Sequence, residues 1–181
     1  MLIFHHRSRI AIKRRYLAAL TTANRRISSS FQKSPSNTIH YGKCEMDSHA
    51  DTIVAGRNCV VLSYTGKECD VQAFSDSHDA IKNVPLAQVG TAWQSPDSSQ
   101  TSILVLNEAL WMGDVMEDTL LNPNQLRHFG INIQDDPTSN QPLSLITEDT
   151  NFVMPLLWAG TVVFCNNRTP TQHELETCPH I

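Results

Sequence analysis

Glu45-Met46-Asp47-Ser48-His49-Ala50-Asp51-Thr52 is the segment whose side chains can do chemistry. Two aspartates, an imidazole and two hydroxyls sit between a segment read as a strand and the apolar pair Ile53-Val54. Packing alone does not call for such a set. Its plainest use is a polar turn in which Asp47 or Ser48 caps local backbone N–H groups. A second use is metal binding. If 46–52 is extended, Asp47, His49 and Asp51 all point to one face, because side chains alternate along a strand. Two carboxylates and an imidazole suit Mn, Fe or Zn, with Asp76, His78 or Asp79 completing the shell. The D-x-H-x-D spacing itself specifies no metal, unlike a zinc-binding H-E-x-x-H.

The surrounding elements read as β. Short aliphatic or β-branched runs alternate with turn residues at Ile53-Val54, Cys59 to Ser63, Asp70 to Phe74, Val84 to Trp93 and Ile103 to Met112. The pattern continues at Ile131 to Gln134, Leu143 to Thr147, Phe152 to Leu157 and Thr161 to Cys165. Ser95-Pro96-Asp97-Ser98-Ser99-Gln100 divides two apolar arms and predicts a long hairpin over about 84–112. One short helix follows from Asn122 as N-cap, Pro123 at the first helical position, Leu126 and Phe129 as an apolar edge, and Gly130 as a left-handed stop. Thr171-Gln172-His173-Glu174 fits a capping box and predicts a second.

Asp47-Ser48-His49-Ala50-Asp51-Thr52 resembles the Asp-Ser/Thr-Gly-Ala-Asp-Thr signature of retropepsins, the aspartic proteases of retroviruses and retrotransposons. Thr119-Leu120-Leu121-Asn122-Pro123-Asn124-Gln125-Leu126 resembles the Asn-Leu-Leu-Ser-Val-Ser-Gln-Leu stretch of Ty1/copia-type polyproteins. Asn-Glu-Ala-Leu-Trp-Met-Gly (107–113) and Asn-Pro-Asn-Gln-Leu-Arg-His-Phe-Gly (122–130) are similar to copia-like elements of algae and other protists. The resemblance covers about 40–181 and implies an all-β, retropepsin-like acid-protease barrel with one short internal helix. The implied activity is aspartic endopeptidase cleavage of polyprotein peptide bonds, with no cofactor.

In that chemistry two aspartates about 3 Å apart cannot both ionise and share one proton. One carboxylate activates water while its protonated partner hydrogen-bonds the scissile carbonyl. The chain carries one full signature: Asp76-Ser77-His78 and Asp149-Thr150-Asn151 lack its continuation. The resemblance therefore implies a homodimer with Asp47 as the catalytic residue of each chain. It further implies Ser48, His49 and Ala50 as the active-site loop, Asp51 as a substrate-backbone contact, and the 84–112 hairpin as the cover. Two positions depart from the family. His49 stands where a glycine normally lets backbone approach the carboxylates, and Asn122 stands where retropepsins carry Gly and copia-type chains Ser. His49 favours the rival reading of a catalytically inert, retroelement-derived remnant. The metal-binding module on Asp47, His49 and Asp51 is the third.

Charge divides the 181-residue chain. Residues 1–43 carry +9 without a single acid, and residues 44–181 carry −13, for a net −4. The expected organisation is a flexible or helical basic arm over 1–39 and a folded domain over 40–181. Residues 7–26 of the arm suit non-specific contact with nucleic-acid phosphates. The acidic body repels a second copy at neutral pH, so a dimer is expected to tighten as the pH falls toward about 5. Five cysteines without CxxC spacing and the absence of a secretory apolar core read as reduced thiols and an intracellular, cytoplasmic chain. The Arg-rich, acid-free start also has the composition of a mitochondrial transit peptide. No apolar run approaches the roughly 20 residues of a membrane span, so no membrane partner is expected.

Overall fold

The computed structural model describes residues 38–72, 79–147 and 152–181. Of the basic arm expected over 1–39, all but the last two residues, 7–26 included, fall on 1–37. That stretch, Asp76 to His78 and Asp149 to Asn151 lie outside the described residues.

The described chain is mostly β. Its strands are β1 (Tyr41–Met46), β2 (Val54–Gly56), β3 (Val60–Val71), β4 (Ile81–Gln94), β5 (Thr101–Gly113), β6 (Thr119–Leu121), β7 (Ile131–Gln134), β8 (Ser144–Thr147), β9 (Phe152–Pro155), β10 (Leu157–Ala159) and β11 (Val162–Arg168). Two helices of six residues each, α1 (Pro123–His128) and α2 (Gln172–Thr177), complete it. The all-β expectation therefore stands at the level of class, with both short helices where their caps placed them. Asn122 Oδ1 accepts the Gln125 N–H at 2.7 Å, and Gly130 ends α1 at φ +81°. Thr171 and Glu174 close a reciprocal capping box on α2.

Eight strands form one sheet in the order β10-β11-β1-β6-β2-β5-β4-β3. The sheet curls until β11 also meets β4, where Arg168 opposes Ala92. β1 runs parallel to β6 and β2 parallel to β5, while the remaining pairs are antiparallel. A smaller antiparallel sheet, β7-β8-β9, packs its Ile133, Leu145 and Met154 into the same core as Ile53, Val89, Leu106 and Leu121.

Several elements differ from the sequence expectation. β3 is one strand of 12 residues running through Gly66, where two were expected, because β-bulges opposite β4 absorb its irregular residues. Thr119–Leu121 is a strand although three residues are too few to show a period. The apolar run from Phe152 to Leu157 splits at Leu156 between the two sheets. The 84–112 hairpin forms as β4 and β5, but it is not a free cover. β4 is paired on both edges and buried from Val89 to Trp93, so only the turn at 95–100 projects.

Candidate functional site

β1 ends at Met46, and after Asp47 the chain leaves the sheet in a turn at 48–49 and bends from 50 to 52. This placement overturns the premise of the metal reading. The segment is not extended, so Asp47, His49 and Asp51 do not share a strand face. Among the described residues no three His, Cys, Asp or Glu side chains converge as a metal site.

The parallel pairing of β1 with β6 sets the turn. Met46 lies opposite Leu121, and the Asp47 N–H donates to the Leu121 carbonyl at 2.9 Å. Leu121 leads directly into Asn122 and α1, so the acidic turn and the helix start from the same point of the sheet. The Asp47 carboxylate folds back on its own loop. Its Oδ1 accepts the His49 N–H at 2.8 Å, an Asx turn of the kind aspartate favours. The same oxygen lies 3.8 Å from His49 Nδ1, and the imidazole is 65% exposed against 24% for the Asp47 side chain.

α1 clamps the other end of the loop. Asn122 Nδ2 donates to the Ala50 carbonyl. Gln125 Oε1 accepts from both Thr52 Oγ1, at 3.0 Å, and the Ile53 N–H, at 2.7 Å. Ala50, Thr52, Asn122 and Gln125 are all buried, so each of these bonds is shielded from water. The result is a rigidly based loop with a buried floor and an open crest. Ser48 and His49 are exposed, Asp47 and Asp51 half-buried.

Of the residues expected at the site, Asp47, Ser48, His49, Ala50 and Asp51 thus form one contiguous turn. Asn122 and Gln125 are the two the residue chemistry did not single out as site-forming. Their signal was present, in two polar residues three apart at the start of a helix whose Leu126 is buried.

A second buried polar cluster fixes β1 further back. Asn58 is fully buried and donates to the Lys43 carbonyl and to Asn167 Oδ1, both at 2.9 Å. It accepts from Thr119 Oγ1 at 2.6 Å. Asn167 in turn donates to Thr91 Oγ1 and to the Cys44 sulfur. Cys44 and Cys165 oppose each other across β1 and β11. The Cys165 thiol and burial push Cys44 well above the ordinary thiol range, and burial pushes Cys59 up to about 12. Cys44 and Cys59 are therefore neutral packing groups.

Comparison with protein-family models, with curated proteins and with solved structures finds no match for this chain. Among the described residues no helix is long and apolar enough to cross a membrane.

Proposed function

We propose that residues 40–181 are a retropepsin-type aspartic endopeptidase domain of a Ty1/copia-like retroelement, with Asp47 supplying half of a dyad across a homodimer. One observation carries the reading. The two segments on which the resemblance rests, 47–52 and 119–126, are some 70 residues apart in sequence and interlock through Asp47, Ala50, Thr52, Asn122 and Gln125. A loop so based can hold a carboxylate at a fixed height above the sheet, which a shared-proton dyad about 3 Å wide demands. Each carboxylate needs a partner, and each chain offers one, so the catalytic unit is the dimer. Ser48 and Asp51, which follow Asp47 in the same loop, serve as loop and substrate contacts, and peptide or polyprotein is the substrate. The curl that joins β11 to β4 is consistent with a small acid-protease barrel.

A specific observation also favours the inert remnant. The exposed His49 imidazole stands beside Asp47 Oδ1, where the family leaves space for substrate backbone.

Cleavage of a peptide library by the full chain at pH 4 to 7, with Asp47→Asn alongside, tests the proposal. Cleavage strongest in mild acid, unaffected by chelator and abolished in the variant is the expected result. A folded dimer that cleaves nothing overturns it. Recovery of cleavage in His49→Gly would then identify the imidazole as the cause of inactivity.

A further inference from the structure

The eight-stranded sheet has two outer strands, and they differ in chemistry. β3 carries Lys67, Glu68 and Asp70 and departs from regular pairing with β4 at three places. Charges and bulges are the usual means by which an outer strand avoids pairing with another chain. β10 has neither. Leu157, Trp158 and Ala159 are all exposed, with Leu157 at 46% and Trp158 at 56%, so both faces of this strand meet solvent. One edge pairs with β11, and among the described residues the other edge pairs with nothing.

The local geometry presents this strand firmly. β10 and β11 make a hairpin in which Ala159 opposes Val162 across a two-residue turn, with Gly160 at φ +63° as the tight connection requires. Trp158 Nε1 donates to the Gly160 carbonyl at 2.5 Å, which fixes the indole over the hairpin tip.

Charge then narrows the occupant. From Phe152 to Cys165 the chain contains no Asp, Glu, Lys or Arg, within a body of net −13. Another copy of that body is repelled wherever acidic surfaces meet, and least at this neutral stretch. The strand is also self-complementary. In an antiparallel pairing about a two-fold axis, Trp158 is the central residue and faces its own copy, while Leu157 faces Ala159.

We propose that the free edge of β10 is a self-association surface, pairing with β10 of a second copy through backbone hydrogen bonds and a Trp158–Trp158 contact. The inference is independent of the protease reading. Five strand spacings of about 4.8 Å separate the two β1 strands in such a pair, so this contact is not the one that brings two Asp47 carboxylates together. Three residues and one aromatic per copy bury less than the roughly 1,200 Å² of a stable interface. The association is therefore weak and concentration-dependent.

Sedimentation of the full chain over a wide concentration range tests this, with Trp158→Lys and Leu157→Lys as edge-charging variants and Tyr64→Lys on β3 as control. Mass rising with concentration in the wild type, with association about tenfold weaker or more in the two β10 variants and unchanged in the control, is the expected result. A second measurement covers loss of folding. Trp158→Cys should give a disulfide-linked dimer under mild oxidation by a small disulfide, two thiols being oxidised as the reagent is reduced, and Tyr64→Cys should not. A wild type that stays monomeric throughout, β10 variants that associate as the wild type does, or equal cross-linking at positions 64 and 158 would each overturn the proposal. Failure of peptide cleavage would bear on the protease reading alone.

Discussion

Gln125 Oε1 receives two hydrogen bonds from one stretch of loop, from Thr52 Oγ1 and from the Ile53 N–H. That one side chain joins the helix after β6 to the strand that follows the acidic turn. Replacing it with leucine keeps the volume roughly constant and removes the buried acceptor that the Thr52 hydroxyl and the Ile53 N–H share. Gln125→Leu should cost about 2 to 4 kcal/mol. Asn122→Ala, which removes the helix cap and the bond to Ala50, should cost about 2 kcal/mol. Denaturant unfolding measures both. If the protease reading holds, cleavage should fall in conditions where each variant is still folded.

The cluster around Asn58 predicts a larger loss. Asn58→Leu strips partners from the Lys43 carbonyl, Asn167 and Thr119, all inside the sheet. A half-satisfied buried network is worse than none, and about 3 to 5 kcal/mol is expected. Thermal unfolding beside the milder Thr91→Ser would show whether the network or the mere presence of a polar group matters.

Acid sensitivity follows from Arg168 and Glu174. The guanidinium holds both carboxylate oxygens at 2.8 and 2.5 Å and draws Glu174 down from an ordinary 4.5 to about 2. A depressed carboxylate stabilises the fold fully above its unfolded value and loses that contribution as the pH falls through the folded one. The bridge that ties α2 to β11 should therefore be intact above about pH 4.5 and fade toward pH 2. Glu174→Gln should cost about 1 kcal/mol at pH 7, since both groups keep contact with water. The gap from wild type should close on acidification. Unfolding curves at pH 7 and pH 3 test the sign.

Thiol chemistry should divide the five cysteines. Cys44, Cys59 and Cys165 are buried, whereas Cys69 and Cys178 are partly accessible. Brief alkylation of the native protein should label at most two sites, and all five after unfolding, as read by intact mass. Labelling of Cys59 in the native state would contradict its burial and its rise to about 12.

How far the sequence reached depended on the range of the interactions involved. α1 and α2 were legible because their stops and starts are local. Asn122, Pro123 and Gly130 act within one helix, and Thr171 with Glu174 within one turn. β7 was legible residue for residue because its apolar side chains alternate against turn residues. The acidic turn was legible as a cluster, since Asp47 to Asp51 are neighbours in the chain. β6 was not legible, because three residues become a strand only when β1 and β2 flank them. The extended geometry required for a metal-binding Asp47, His49 and Asp51 failed for the same reason: whether 46–52 runs straight depends on Leu121 and Asn122.

What the sequence by itself determined is the β class, the two capped helices, the split between a basic start and an acidic body, and the cluster at 47–52. Only the tertiary structure decided that Asn122 and Gln125 clamp that cluster, that β4 is an interior strand rather than half of a free cover, and that β10 is an outer strand of the sheet among the described residues. Periodicity, capping and charge are written within a few residues of one another. Strand order, and with it burial and hydrogen-bond partnership, depends on pairings between segments as far apart as Cys44 and Cys165, to which no local pattern refers.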